Sequence, residues 1–200
     1  MGKRHLADAL REYRERHPDR AEPAVRWLPF QLNPDMPPEG MPRQDYIARK
    51  WGPGRGNEIY SRVAGVGNSV GIPFAFEKIR VQPNTLDAHR LMYYAERAGD
   101  QDALAEELFR GYFLEGANLT DKAALADLAA RAGMDRAEVA AYLESGEDRD
   151  VILKADLEAR ESGIHGVPFF IFNRKVAVSG AQEAEALLGA MEQALESRDS

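Results

Sequence analysis

The sequence predicts an α/β chain whose strand-bearing ends are split by a long, mostly helical block. Three observations predict it. The chain opens on an amphipathic helix followed by a β-rich stretch; a proline-rich loop then gives way to more than a hundred residues of helical pattern; and the last segment returns to strands before a closing helix.

Residues 3–16 place Leu6, Ala9, Leu10 and Tyr13 at helical spacing with charges elsewhere. Ala24–Phe30 (AVRWLPF) is rich in β-formers and reads as a strand, and Asn33–Pro42 (NPDMPPEGMP) holds too much proline to be anything but a loop. From Arg43 to Arg160 the pattern is helical, with breaks at GPGRG (52–56), the Gly/Pro-rich stretch 65–73 and Gly99. Asn84-Thr-Leu-Asp87 offers a cap for a helix carrying Leu86, Leu91, Met92 and Ala95, and Thr120 a cap for one ending at Gly133. Val167–Phe172 and Val176–Val178 flank the polar turn Asn173-Arg174-Lys175 and read as a hairpin. A last helix, Gln182–Leu195, lines up Ala186, Leu187, Ala190, Met191 and Ala194.

Composition narrows the function. Lys+Arg of 26 against Asp+Glu of 33 leaves a net charge of −7, with no basic stripe to meet a phosphate backbone, so nucleic acid is not expected as a partner. MGKRHLADAL has no apolar h-region and no later run reaches the length of a membrane span, so the expectation is a cytoplasmic protein without a membrane. There is no cysteine, which removes disulfides, thiolate nucleophiles and thiolate metal sites together. His5, His17, His89 and His165 stand in four segments without zinc-helix spacing, so no metal site is expected. GPGRG lacks the lysine and strand context of a phosphate loop.

Pro168 interrupts the apolar run GIHGVPFFIF (163–172). A proline cannot donate a ladder hydrogen bond, which leaves two readings: a residue at a strand start, or a cis Val167-Pro168 bond marking a site. The residues alone do not choose between them.

Several motifs, in order, carry a resemblance: Gly163–Phe172, Val178-Ser-Gly-Ala-Gln182, Phe30-Gln-Leu-Asn-Pro-Asp35, Pro83-Asn-Thr-Leu-Asp-Ala-His-Arg90 and Ala103–Gly116 (ALAEELFRGYFLEG). Together they resemble the FrnE-like branch of the DsbA-family thioredoxin-fold oxidoreductases across essentially the whole chain. The resemblance implies a thioredoxin-like core at 1–42 and 161–200, interrupted by a helical insertion domain at 43–160. It implies that Pro168 is cis opposite the redox centre and that the Val167 backbone pairs with an extended substrate peptide. Gly166 would give that backbone room, His165 would stand near the ledge, and the cleft between core and insertion would set specificity. The implied partner is a thiol- or disulfide-containing protein or small molecule, with glutathione allowed as a co-substrate, no other cofactor, and a homodimer allowed.

The family begins with a strand and Cys-Pro-x-Cys ahead of a helix opening Gly-Lys-Arg, whereas this sequence begins Met1-Gly-Lys-Arg4. No catalytic residue is therefore expected within it. The absent strand would be central, between Ala24–Phe30 and Val167–Phe172, and orphaned backbone groups cost about 1–3 kcal/mol each. The expectation is an N-terminally truncated form of a longer oxidoreductase, or a chain completed by a partner. Two alternatives stand beside it. One is a glutathione-dependent transferase or isomerase of the kappa or 2-hydroxychromene-2-carboxylate type; the other is a non-catalytic module that binds peptides or thiols.

Overall fold

The computed structural model describes residues 1–52 and 54–196, leaving aside the side chain of Asn57. It divides into two compact units, one formed by Met1–Val25 with the chain from Arg160 onward, the other by Arg26–Ala159.

In the first unit, α1 (Gly2–Arg16) and α9 (Ala184–Glu196) pack on the hairpin of β3 (Phe169–Phe172) and β4 (Val176–Ser179). Ala9 and Tyr13 of α1 meet Leu187, Leu188 and Met191 of α9, with Phe170, Phe172 and Val178 against them. These are the apolar positions that the helical period picks out. The hairpin is antiparallel, with Phe169 opposite Ser179 and Phe172 opposite Val176. Its turn takes positive φ at Asn173 and Arg174, 49° and 58°, a region asparagine tolerates through its short polar side chain.

In the second unit, a two-residue ladder of β1 (Met41–Pro42) and β2 (Val81–Gln82) precedes the main helices. Helices α2 (Arg43–Trp51) and α3 (Arg55–Ser69) are separated at the GPGRG break, with Pro53 itself outside the described residues. A bundle follows: α4 (Leu86–Ala98), α5 (Gln101–Arg110), α6 (Lys122–Arg131) and α7 (Arg136–Ser145), and then α8 (Arg149–Glu161). Leu91, Leu104, Leu125, Val139 and Leu143 are fully buried at its centre, each stabilising by about 1.5–3 kcal/mol. Asp100, Asp121 and Asp135 cap α5, α6 and α7 through carboxylates that accept backbone N–H bonds. The cap expected at Thr120 thus moves one residue on; the Thr120 hydroxyl donates instead to Asn118. In the stretch expected to cap α4, Thr85 is the N-cap residue and makes no side-chain cap bond, while Asn84 one residue earlier accepts from the Leu86 N–H at 2.9 Å.

The strand expected at Ala24–Phe30 does not form. A strand needs a neighbouring backbone, and Pro29 removes one donor in any case. Side chains serve in its place: the Trp27 N–H donates to Gln101 Oε1 at 3.0 Å, and Gln101 Nε2 donates to the Trp27 carbonyl at 3.3 Å. Likewise the Gln31 N–H donates to Asp156 Oδ1 at 2.6 Å. These bonds bind residues 26–42 to the helical unit, whereas the sequence changes character at 42/43. Leu28 and Leu32 remain exposed, and the buried Trp27 Nε1 has no acceptor among the described residues. No helix among those residues is long and apolar enough to cross a membrane.

Candidate functional site

The chemistry-bearing features of the first unit gather where α1 begins. Gly2, at the start of α1, is buried, and a Cβ there would stand 2.8 Å from Pro168 Cγ and 3.4 Å from Phe170 Cζ. Only glycine lets the helix end approach the proline this closely. We predict that Gly2→Val lowers the unfolding free energy by about 1–3 kcal/mol, because the added methyls overfill the contact. Urea denaturation checks it, and an unchanged midpoint would mean that the helix end can slide off Pro168.

The Val167-Pro168 peptide bond is cis. The Pro168 carbonyl accepts from the Gly180 N–H at 2.9 Å, which ties it to the far end of β4. On its other side β3 pairs with no strand among the described residues. Val167 is 48% exposed, and its own N–H and carbonyl have no hydrogen-bond partner among those residues. The ledge is therefore open backbone next to a helix N-terminus.

That terminus is electropositive. Its first turn holds Lys3, Arg4 and His5 and no acidic residue, and the aligned peptide dipoles of α1 add positive charge at the same end. His5 also fastens the helix start to the turn after β4: its Nδ1 lies 2.7 Å from the Gln182 carbonyl, and its Nε2 3.9 Å from Glu183. Gln182 in turn donates through Nε2 to the Ser179 carbonyl at 3.0 Å. The Val178–Gln182 motif thus builds the turn that His5 grips. Spacing hides this pairing, since the two residues lie 177 positions apart.

Of the residues singled out from sequence, Val167 and Pro168 form the ledge. His165 is exposed just ahead of it. A Cβ at Gly166 would meet no atom within 4 Å. His89 lies in the helical unit beside Phe30 and Asp156, and burial holds its imidazole down to about 4 against the opposing pull of the Asp156 carboxylate. No group of three potential metal ligands occurs among the described residues. An electropositive helix end beside an open backbone edge can stabilise a thiolate and hold an extended peptide, but with no cysteine in the sequence it has no thiol of its own.

The model of the DSBA-like thioredoxin domain matches residues 2–192. Among curated proteins, the uncharacterized protein YwbO of Bacillus subtilis (strain 168) is 26% identical over 158 residues, 78% of this chain and 76% of that protein. The crystal structure of a probable DsbA oxidoreductase from Streptomyces coelicolor superposes with a TM-score of 0.84 at 29% identity, covering 100% of this chain and 85% of that one. A second crystal structure, from Nitrosomonas europaea, has a TM-score of 0.70 at 16% identity, covers 98% and 93% of the two chains, and shows the fold alone.

Proposed function

We propose, since this chain belongs to the DSBA-like thioredoxin domain family and has its helix-rich thioredoxin fold, that it supplies the substrate-binding part of a FrnE-like thiol–disulfide oxidoreductase. The dithiol is carried on a segment outside these 200 residues. One observation carries the reading: the exposed Val167 peptide, unpaired among the described residues, stands next to a proline that rests on Gly2 at the positive end of α1.

Each part then has a task. The Val167 N–H and carbonyl pair with an extended substrate and hold its sulfur in line. The α1 dipole, with Lys3 and Arg4 in its first turn, favours the thiolate over the thiol and so makes it a better leaving group. His5 and Gly2 fix the helix end against the hairpin so that the two stay in register. In the exchange one sulfur–sulfur bond forms as another breaks, and two electrons and two protons pass between substrate and dithiol.

The test is the intact mass, thiol content and turnover of the endogenous protein from the source cell. The expected product is longer than 22.3 kDa, titrates two thiols after reduction, and exchanges disulfides with insulin or oxidised glutathione until it is alkylated. A product of 22.3 kDa with no thiol and no turnover overturns the oxidoreductase reading and leaves a peptide-binding module.

A further inference from the structure

The helical unit holds a cavity of about 680 Å³, lined by residues of α2, α3 and the segment Phe74–Arg80. Its walls are apolar where Tyr60, Phe74, Phe76, Ile47 and Ile79 face it. Phe74 and Phe76 are stacked at 4.9 Å, and Tyr60 lies tilted against Phe76 at 4.7 Å. That is ample room for an aromatic body.

One buried charge stands in this wall, beside the exposed Glu77 and Arg80. Arg43 is 7% exposed, yet no carboxylate pairs with it among the described residues. Its Nη1 donates to Gln82 Oε1 and, at 3.2 Å, to the Tyr112 hydroxyl, while its face lies over Tyr60, 4.6 Å from the ring centroid. Those contacts use one end of the guanidinium and one face. The Tyr60 side chain also hydrogen-bonds the guanidinium, but no carboxylate among the described residues meets the edge formed by Nε and Nη2, although Arg43 lines the cavity. Buried guanidinium groups are ordinarily paired, because removing such a charge from water is costly.

The fold holds the residue in this pose from several sides. The β1–β2 ladder sets Gln82 opposite Met41, and the Arg43 N–H donates to the Arg80 carbonyl at 2.9 Å. Tyr112 comes from a π-helical turn, Gly111–Glu115, in the middle of the ALAEELFRGYFLEG motif. Carbonyls of that turn bond outward to the cavity wall: Phe113 accepts from the Ala75 N–H at 2.9 Å and Leu114 from Lys78 Nζ at 3.1 Å. Single π-turns of this kind recur at functional sites. Gly116 closes it at φ +78°, where a Cβ would come within 2.5 Å of the Lys78 carbonyl oxygen.

We infer that this cavity binds a small aromatic carboxylate, its carboxylate on the Nε/Nη2 edge of Arg43 and its ring against Tyr60, Phe74 and Phe76. The planar two-donor edge matches a carboxylate bidentately. A single buried cation, with the exposed Glu77 and Arg80 offsetting each other on the same wall, disfavours a dianionic phosphate. The site is separate from the thiol chemistry and does not rest on it.

Calorimetric titration of the 200-residue chain with 2-naphthoate, and with its neutral isostere 2-naphthamide, tests the inference. The expected result is saturable 1:1 binding of the acid, at least about tenfold tighter than the amide. Arg43→Gln should lose about tenfold or more for the acid and change the amide little. Ala64→Trp, which fills the cavity while leaving Arg43 in place, should abolish binding of both, with circular dichroism confirming that the helices are retained. Equal affinity for acid and amide overturns the inference. So does undiminished binding to the Ala64→Trp chain, or a flat titration of the unaltered chain through about 5 mM acid.

Discussion

Arg90→Met is expected to lower the stability of the helical unit by about 3–5 kcal/mol. Arg90 is 2% exposed and spends its donors on the end of α7. Its Nε donates to the Glu147 carbonyl at 2.7 Å, Nη2 to the Tyr142 carbonyl at 3.0 Å, and Nη1 to the Leu143 carbonyl at 3.2 Å and to Asp87 Oδ1 at 2.7 Å. The last carbonyls of a helix have no partner within it, so α7 depends on this guanidinium for several at once. The charge also complements the negative end of the helix dipole. The Tyr142 hydroxyl shares its one proton between the Arg90 carbonyl at 3.1 Å and Asp148 Oδ2 at 2.9 Å, with the guanidinium 5.1 Å from its ring. Methionine would fill the volume and leave three carbonyls and the Asp87 carboxylate unanswered. Lysine keeps the charge but not the fork, so Arg90→Lys is expected to recover less than half of the loss. Urea unfolding followed at helical wavelengths measures both. A loss under about 1 kcal/mol for the methionine variant would mean that water reaches those carbonyls, and the clamp would not be structural.

Arg90 closes the Pro83–Arg90 motif, one of the stretches that made the family legible from sequence. What the sequence could not show is the reason for it, because the acceptors lie more than fifty residues away in the chain. The same division holds elsewhere. Helices α4 to α7 follow from periodicity and capping residues, both of which are local. The hairpin follows from two β-rich runs and a polar turn. Ala24–Phe30 misleads because β-propensity reports how a side chain fits a pleated surface, not whether a neighbouring strand exists. Gln101 and Asp156 occupy its backbone instead. The π-turn at Gly111–Glu115 is invisible to a 3.6-residue period that it breaks by one residue.

At the candidate site, Pro168 was legible because a proline in an apolar strand pattern violates a local rule. Gly2 and His5 were not. Their importance lies in contacts with Pro168 and Gln182 at the other end of the chain, and a glycine or histidine near a helix start has no such meaning by itself. Arg43 escaped for a similar reason: its burial beneath Tyr60 and beside Tyr112 is a tertiary fact, and a lone arginine after a proline reads as surface.

The second large effect concerns acid. His89 sits on α4 beside Phe30 and Asp156, and burial depresses its imidazole from 6.5 to about 4, the Asp156 carboxylate and the Phe30 backbone only partly opposing this. In the unfolded chain the ring takes up its proton near pH 6.5, whereas in the fold it does so only near pH 4. Folding is therefore unpenalised above about pH 6.5. As pH falls through that value the unfolded state binds a proton that the native state refuses, and stability declines by about 1.4 kcal/mol per pH unit. The decline stops near pH 4, after a total of about 3 kcal/mol. Two displaced carboxyls act in a lower window. The Arg131 hydrogen bond holds Glu115 below its ordinary 4.5; for Asp148, burial pushes upward but the bonds from Arg97 and Tyr142 prevail. Their stabilisation is present above about pH 4.5 and is lost only as pH falls further toward their folded values. The slope between pH 6.5 and 4.5 thus isolates His89 from both. His89→Gln keeps a donor near the Phe30 carbonyl and removes the titration, so the variant is expected to hold its urea midpoint across that interval while the parent chain loses stability. Parallel curves for the two chains would place the proton-linked loss on another group and leave the His89 ring more open to water than its packing implies.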